Sequence, residues 1–251
     1  MAFDLLIKGS RDFLFGGLFD SQILSGFSLR HCGNMSLCYA ETSDSLKNRK
    51  AFLEGLRIDY QTLVCGRQKH GSRVQIVKIN DRGRGALSYD TAIADTDALV
   101  TDEKNLPLAV FTADCLSVFL YEPGKKIIGL VHAGWRSTKG DIVIKTLKVM
   151  EEGFNSRAKD VYAAFGPSIR SCCYEVGQEF KGIFPYGLIE KNGRLYLDLI
   201  KINKKQLLDC GVKDTNIFDL NLCTACHSTE LFSYRKEGSS CGRMMSVIML
   251  R

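Results

Sequence analysis

Along this chain short runs of β-branched and aromatic residues are separated by polar turns. The runs QTLVCG (61–66), RVQIVKI (73–79), LAVFTA (108–113), LSVFLYE (116–122), KIIGLVHA (126–133), DVYAAFG (160–166), RLYLDL (194–199) and MMSVIML (244–250) read as strands. Helical spacing occurs in three places. Over 48–56 it sets Phe52 and Leu56 on one face, and over 140–152 it sets Val143, Leu147 and Met150 on one face behind Asp141 in the N-cap position. A third helix, over 202–210, runs into Gly211, a natural residue just past a helix C-terminus. Strands outnumber helices and do not alternate with them regularly. This predicts an α/β (α+β) fold of layered mixed β-sheets flanked by helices, rather than a doubly wound parallel sheet. With no internal repeat, low-complexity tract or Pro- or Ser-rich linker, residues 1–251 read as one domain.

Composition narrows the function class. Hydrophobic residues make up 45% of the 251 and charged residues 25%, the balance of a globular protein with a sizeable core. The net charge of +6 is scattered, and its densest cluster, KINKKQ (201–206), falls on a predicted helix. No basic face for nucleic acid is expected, whereas small anionic ligands fit. The start MAFDLLIKGSRDFLF is broken by Asp4, Lys8, Arg11 and Asp12, so no export signal is expected and a cytoplasmic location is. The most apolar segment, around LPLAVFTADCLSVFLYEP, is interrupted by Pro107 and Asp114 and falls short of the ~20 residues that span a bilayer. Ten cysteines without an export signal point to reduced thiols and metal ligation.

The stretch CTACH (223–227) has the Cys-x-x-Cys-His spacing of covalent c-type haem attachment. Such attachment belongs to exported proteins, so two thiols and an imidazole in a structural turn are the better reading; a zinc knuckle would lack a fourth ligand nearby. The Gly-rich DRGRG (81–85) reads as a surface loop, because no Lys-Ser/Thr pair follows it as in a phosphate-binding loop.

The chemistry-bearing region is TADCLSVFLYEPGKKIIGLVHAGWRST. Cys115 and His132 lie at neighbouring ends of two successive strand runs, and His70 with Gly71 precedes the run RVQIVKI. Two imidazoles, one thiolate and an open position are what a catalytic zinc site requires. Spacing alone leaves open a buried strand thiol with two satisfied loop histidines.

At these residues the chain resembles the purine nucleoside phosphorylase family also known as the laccase-domain or polyphenol oxidase family. The resemblance is carried by GFSLR (26–30), NR (48–49), HGSRV (70–74), ADTDALVT (94–101) and TADC (112–115). It continues through HAGWR (132–136), GPSIRSCCYEVG (166–177), CT (223–224), FSYR (232–235) and GRMMSVIML (242–250). It implies a layered fold of the CNF-toxin and YfiH-like cysteine-hydrolase type, and it puts the zinc ligands at His70, Cys115 and His132, with copper as a possible replacement. By the same resemblance Cys226 and His227 occupy unreserved positions, so the haem spelling reads as accidental. Leu116 and Ser117 replace an expected proline after the cysteine, Ser137 stands where Gly is usual, and NMSLCYAETSD (34–44) looks shortened, with Cys38 where Asn is usual.

The implied activity is phosphorolysis of purine nucleosides, with adenosine deamination as a second reaction. The substrates would be adenosine, inosine, guanosine or S-methyl-5'-thioadenosine plus phosphate. Arginines match a phosphate through their planar fork. Arg136 follows His132 and Arg73 follows His70, so both are candidates, with Arg235 and Arg243 as further choices. Asp114 is a candidate acid or base if the backbone turns there; on a regular strand it would face away from Cys115. Tyr174 and Cys173 are candidates for the pocket wall, vicinal Cys172 and Cys173 for a structural role, and Trp135 for core packing. Two rivals remain. A copper-dependent, laccase-like oxidase would need more than four histidines for a full copper set. A metal-free hydrolase would use Cys115 as nucleophile and His132 as base.

Overall fold

The computed structural model describes residues 13–14, 22–38 and 42–251. The segment read above for an export signal lies outside them except for Phe13 and Leu14, and so do residues 39–41 of the shortened segment. One sheet contains β1 (Phe13–Leu14), β2 (Ile23–Phe27), β3 (Val64–Cys65), β6 (Leu108–Thr112) and β14 (Met244–Leu250), in the order β1-β2-β14-β6-β3. A second contains β4 (Val74–Ile76), β5 (Ala98–Thr101), β7 (Leu116–Glu122), β8 (Ile127–Ala133), β9 (Tyr162–Phe165) and β13 (Ile217–Asp219), in the order β13-β9-β7-β8-β5-β4. Both mix parallel and antiparallel pairs. A small sheet, β10 (Glu175–Val176), β12 (Arg194–Leu197) and β11 (Leu188–Lys191), stands apart.

Strand alternation explains the layers. Phe27, Val110 and Ile248 from the first sheet meet Leu99, Phe119 and Leu130 from the second in one core. The opposite face of the second sheet, with Val118, Leu120 and Val131, is covered by α3 (Ile142–Phe154) through Val143, Leu147 and Met150, and by Leu207 of α4 (Leu199–Asp209). Outside the first sheet, Met245 and Val247 pack on Phe52 and Leu53 of α1 (Thr42–Gly55). The result is helix, sheet, sheet, helix, the expected layering. Two short helices, α2 (Trp135–Lys139) and α5 (Tyr234–Glu237), have no apolar stripe of their own and fall below sequence periodicity.

Helix ends differ from the sequence reading. α1 begins at Thr42, earlier than its apolar face suggested, and α4 at Leu199, where the Asp198 side chain accepts from the Lys201 N–H. Asp141 does occupy the N-cap of α3, but in a left-handed conformation and without a side-chain cap bond; its carboxylate accepts from Gln206 Nε2 of α4 instead. The DRGRG loop is fastened from beneath. The buried Arg49 guanidinium donates to the carbonyls of Gly85 and Ala86 at 2.9 and 2.7 Å and, through Nε, to that of Met35 at 2.8 Å.

Candidate metal centre and cleft

The site forms where the chain leaves one large sheet for the other. β6 ends at Thr112, β7 starts at Leu116, and the corner between them is made by Asp114 at φ 85°. Leu116 pairs with Ala133 and Ser117 with His132, so Cys115 emerges beside Gly134. Without the proline usual after the cysteine, β7 pairs from its first residue, and the Ser117 hydroxyl is bonded to that of Ser246 at 2.9 Å.

Gly134 is a steric requirement. A Cβ there would lie 2.9 Å from Cys115 Sγ and 3.1 Å from His70 Cδ2. His70 comes from the turn before β4, itself at φ 57°. The donor atoms of His70, Cys115 and His132 all lie within 4.8 Å of one another, and the two imidazoles meet edge to face with centroids 4.8 Å apart.

Asp97 holds this arrangement. Its Oδ1 accepts from His132 Nδ1 at 2.8 Å and from the His70 N–H at 3.0 Å. Its Oδ2 accepts the backbone N–H of Lys69 and Gly71 at 3.1 and 2.9 Å. One carboxylate thus fixes the turn that carries His70 and the tautomer of His132, leaving Nε2 of His132 to face Cys115, the outer support a metal-binding imidazole needs. In the sequence Asp97 is one residue of the motif ADTDALVT with no assigned role; the signal that marks it is an acidic residue directly preceding a buried strand.

The electrostatics follow from these contacts. Burial pushes the Cys115 thiol up, but hydrogen bonds and charge from His132 and His70 outweigh it and bring its pKa down to about 6. Burial would lower His132, yet the Cys115 thiolate and Asp97 raise it to about 9. Burial likewise pushes Asp97 up, and its hydrogen bonds from His132 and the backbone lower it on balance. Two imidazoles and a thiolate, clustered with an outer carboxylate and opening on a cleft, fit a three-donor metal site with a free position.

The cleft above them encloses about 630 Å³. Four arginines line it, Arg49, Arg136, Arg235 and Arg243, against the single carboxylate of Asp114. Asp114 is already engaged, accepting from Thr224 Oγ1 at 2.5 Å and from the Arg235 N–H at 2.6 Å. The Arg235 guanidinium donates to the Glu175 carbonyl at 3.0 Å and lies 5.3 Å from the Tyr174 ring centre. Burial, with the Cys115 charge added, pushes the Tyr174 phenol up, so it stays a proton-bearing donor on the wall. Trp135 packs on Phe180 with ring centres 5.1 Å apart and carries the Arg136 guanidinium over its ring at 4.2 Å, so it serves the small sheet's core and the cleft together. Cys38 also reaches the cleft from the shortened segment.

Arg73 is not brought there. Its guanidinium is exposed and donates to the Ala94 carbonyl and Gln75 Oε1 at 3.2 and 3.4 Å, and it does not line the cleft. Arg73 lies beyond the left-handed turn at His70, just before β4 begins at Val74. In CTACH, His227 Nδ1 meets the Cys223 carbonyl at 2.9 Å, and the sulfurs of Cys223 and Cys226 turn instead to Cys172 and Cys173. No helix among the described residues is long and apolar enough to cross a membrane.

Residues 26–251 match the family model described as multi-copper polyphenol oxidoreductase laccase. The chain is 32% identical to the purine nucleoside phosphorylase YlmD of Bacillus subtilis over 250 residues, covering 92% of this chain and 90% of that one. It is 31% identical to the adenosine deaminase RL5 of an unknown prokaryotic organism over 227 residues, 85% and 86% of the two chains. The crystal structure of YlmD from Geobacillus stearothermophilus superposes with a TM-score of 0.93 at 31% identity, covering 97% of each chain.

Proposed function

This chain belongs to the laccase-domain family, and from that premise we propose that it is a zinc-dependent purine nucleoside phosphorylase whose same site deaminates adenosine. One observation carries the reading: a His70–Cys115–His132 donor set at the base of a cleft lined by four arginines. Relatives named purine nucleoside phosphorylase and adenosine deaminase support an enzyme acting on small purine nucleosides.

His70, Cys115 and His132 would hold the zinc, which would supply Lewis-acid polarisation at the reacting group. The protein supplies the rest. In phosphorolysis the bond from C1' of the ribose to the purine nitrogen breaks with its electron pair leaving on the base, which takes up a proton, while a phosphate oxygen bonds to C1'. Arg136 and Arg235, with Arg243 beside them, face the phosphate as planar donors. Tyr174 offers its phenolic proton to the substrate, and Asp114 holds the Arg235 backbone and Thr224 in place. The substrate class includes adenosine, inosine, guanosine and S-methyl-5'-thioadenosine.

Zinc-loaded protein given adenosine and phosphate is expected to yield adenine and ribose 1-phosphate, with some inosine, and Cys115→Ala to lose both products. Failure to turn over any purine nucleoside with zinc present would refute the assignment. A second reading, a metal-free cysteine hydrolase, is favoured by the Cys115–His132–Asp97 chain of contacts and by a thiol pKa of about 6. It requires that chelators leave activity intact. A copper-dependent oxidase would have to work with a single copper in place of zinc in this same three-donor group, because His31 and His227 lie outside it.

A further inference from the structure

Four cysteines that this chemistry does not use form a second cluster. Cys172 and Cys173 lie in the turn after β9, and Cys223 and Cys226 in the turn after β13; their sulfurs all lie within 4.8 Å of one another. Cys226 Sγ is 3.6 Å from Cys172 Sγ and 3.4 Å from Cys173 Sγ. A zinc ion with Zn–S bonds of ~2.3 Å holds four sulfurs at the corners of a tetrahedron with edges of about 3.8 Å. All ten cysteines of the chain are free thiols.

We propose that Cys172, Cys173, Cys223 and Cys226 bind a second metal ion, a closed tetrathiolate zinc site that staples the turn after β9 to the turn after β13.

Two features beyond proximity support it. The two turns are already in register, bridging in parallel at Ser168 and Cys223, with Thr224 N–H donating to the Ser168 carbonyl at 3.1 Å. Arg170 adds a two-pronged ion pair to Asp219 at 2.7 Å on each arm, so little further ordering is needed for the sulfurs to converge. Sulfur-only donors select zinc or iron, and a polynuclear iron–sulfur core would hold its thiolates farther apart than this cluster does. On binding, the four thiols release their protons to solvent and the ion keeps its oxidation state.

The site borders the cleft without opening into it. Tyr174, next to Cys173, and Thr224, next to Cys223, each carry one cleft contact, the first as wall and the second through Asp114.

Elemental analysis of protein passed over a chelating resin tests this without any activity readout. The expected zinc content is two ions per chain for the wild type, one for Cys115→Ala, one for Cys226→Ser, and none for the double variant. Should Cys226→Ser fail to fold, cobalt(II) loaded into Cys115→Ala decides: intense sulfur-to-cobalt charge transfer with tetrahedral d–d bands is expected. A metal-free Cys115→Ala protein whose four thiols react freely with a disulfide reagent would overturn the proposal. So would a mass lowered by two hydrogens through a disulfide within the four.

Discussion

Two clusters of metal-ligand side chains lie on either side of one wall, and they are built by opposite rules. His70, Cys115 and His132 offer three donors at the base of a large cleft, braced by a buried carboxylate. The four sulfurs of Cys172, Cys173, Cys223 and Cys226 offer a complete set of four donors, with Cys172 and Cys226 exposed, and do not line that cleft. A structural ion is shielded by filling all its positions; a reactive one needs a position left for substrate and outer hydrogen bonds to stop the ligands from drifting. Donor count and outer support, more than burial, separate the two.

The widest separation is expected from Cys115→Ala. Losing a ligand at the open centre removes several kcal/mol of transition-state stabilisation, of order 10³-fold or more in kcat/KM, while the tetrathiolate keeps its ion. Paired activity and zinc assays check this; loss of both ions together would erase the distinction. Asp97→Asn comes next. The amide keeps the shape but loses the charge that holds His132 Nδ1–H, so zinc affinity at the open centre is expected to fall by about 10–100-fold, read by competition with a chromogenic chelator. An unchanged affinity would deprive Asp97 of the bracing role.

Smaller, and specific to the open centre, is the pH response of the metal-free protein. With a Cys115 pKa of about 6, the thiolate predominates above that pH and the thiol below it. Iodoacetamide labelling of Cys115 should therefore plateau at neutral pH and fall roughly tenfold per unit below about 6, because only the thiolate reacts. Labelling tracked by peptide mass spectrometry checks the profile, and added zinc should suppress it. A profile rising only near the ordinary thiol range would remove the imidazole–thiolate pair from the account.

How much of this was legible in the sequence differs between the two clusters. The open centre was legible mainly through the resemblance: strand spacing set Cys115 and His132 at neighbouring strand ends but left their role open, and the order of family motifs put the donors at His70, Cys115 and His132. β5 was missed as a strand although ALVT is buried and apolar, since it is only four residues long and sits behind polar ADTD. Asp97 was hidden for the same reason. Arg73 looked close to the centre in sequence, but the left-handed turn at His70 separates them, and no local pattern announces such a turn at a histidine. The tetrathiol escaped because its halves lie on distant turns, brought together by the parallel pairing of β13 with β9. CTACH on its own seemed to lack a fourth ligand; CCY supplied the missing sulfurs from across the sheet.

Thr224 joins the two regions and yields the smallest predicted effect. Its backbone follows Cys223, and its hydroxyl donates to Asp114 Oδ1 at 2.5 Å, while Asp114 Oδ2 takes the Arg235 N–H. Thr224→Val keeps the volume and deletes one hydrogen bond to a carboxylate, an interaction of ~1.5–3 kcal/mol. Part of that cost falls on folding, and part on the placement of Arg235 over the cleft. The expected result is a KM for phosphate raised several-fold, a lesser change in kcat, and unaltered zinc content at both centres; Thr224→Ser should restore KM. If KM for phosphate stays constant while zinc is lost from the tetrathiolate, Thr224 serves the closed site alone, and the wall does not carry the geometry of one cluster to the other.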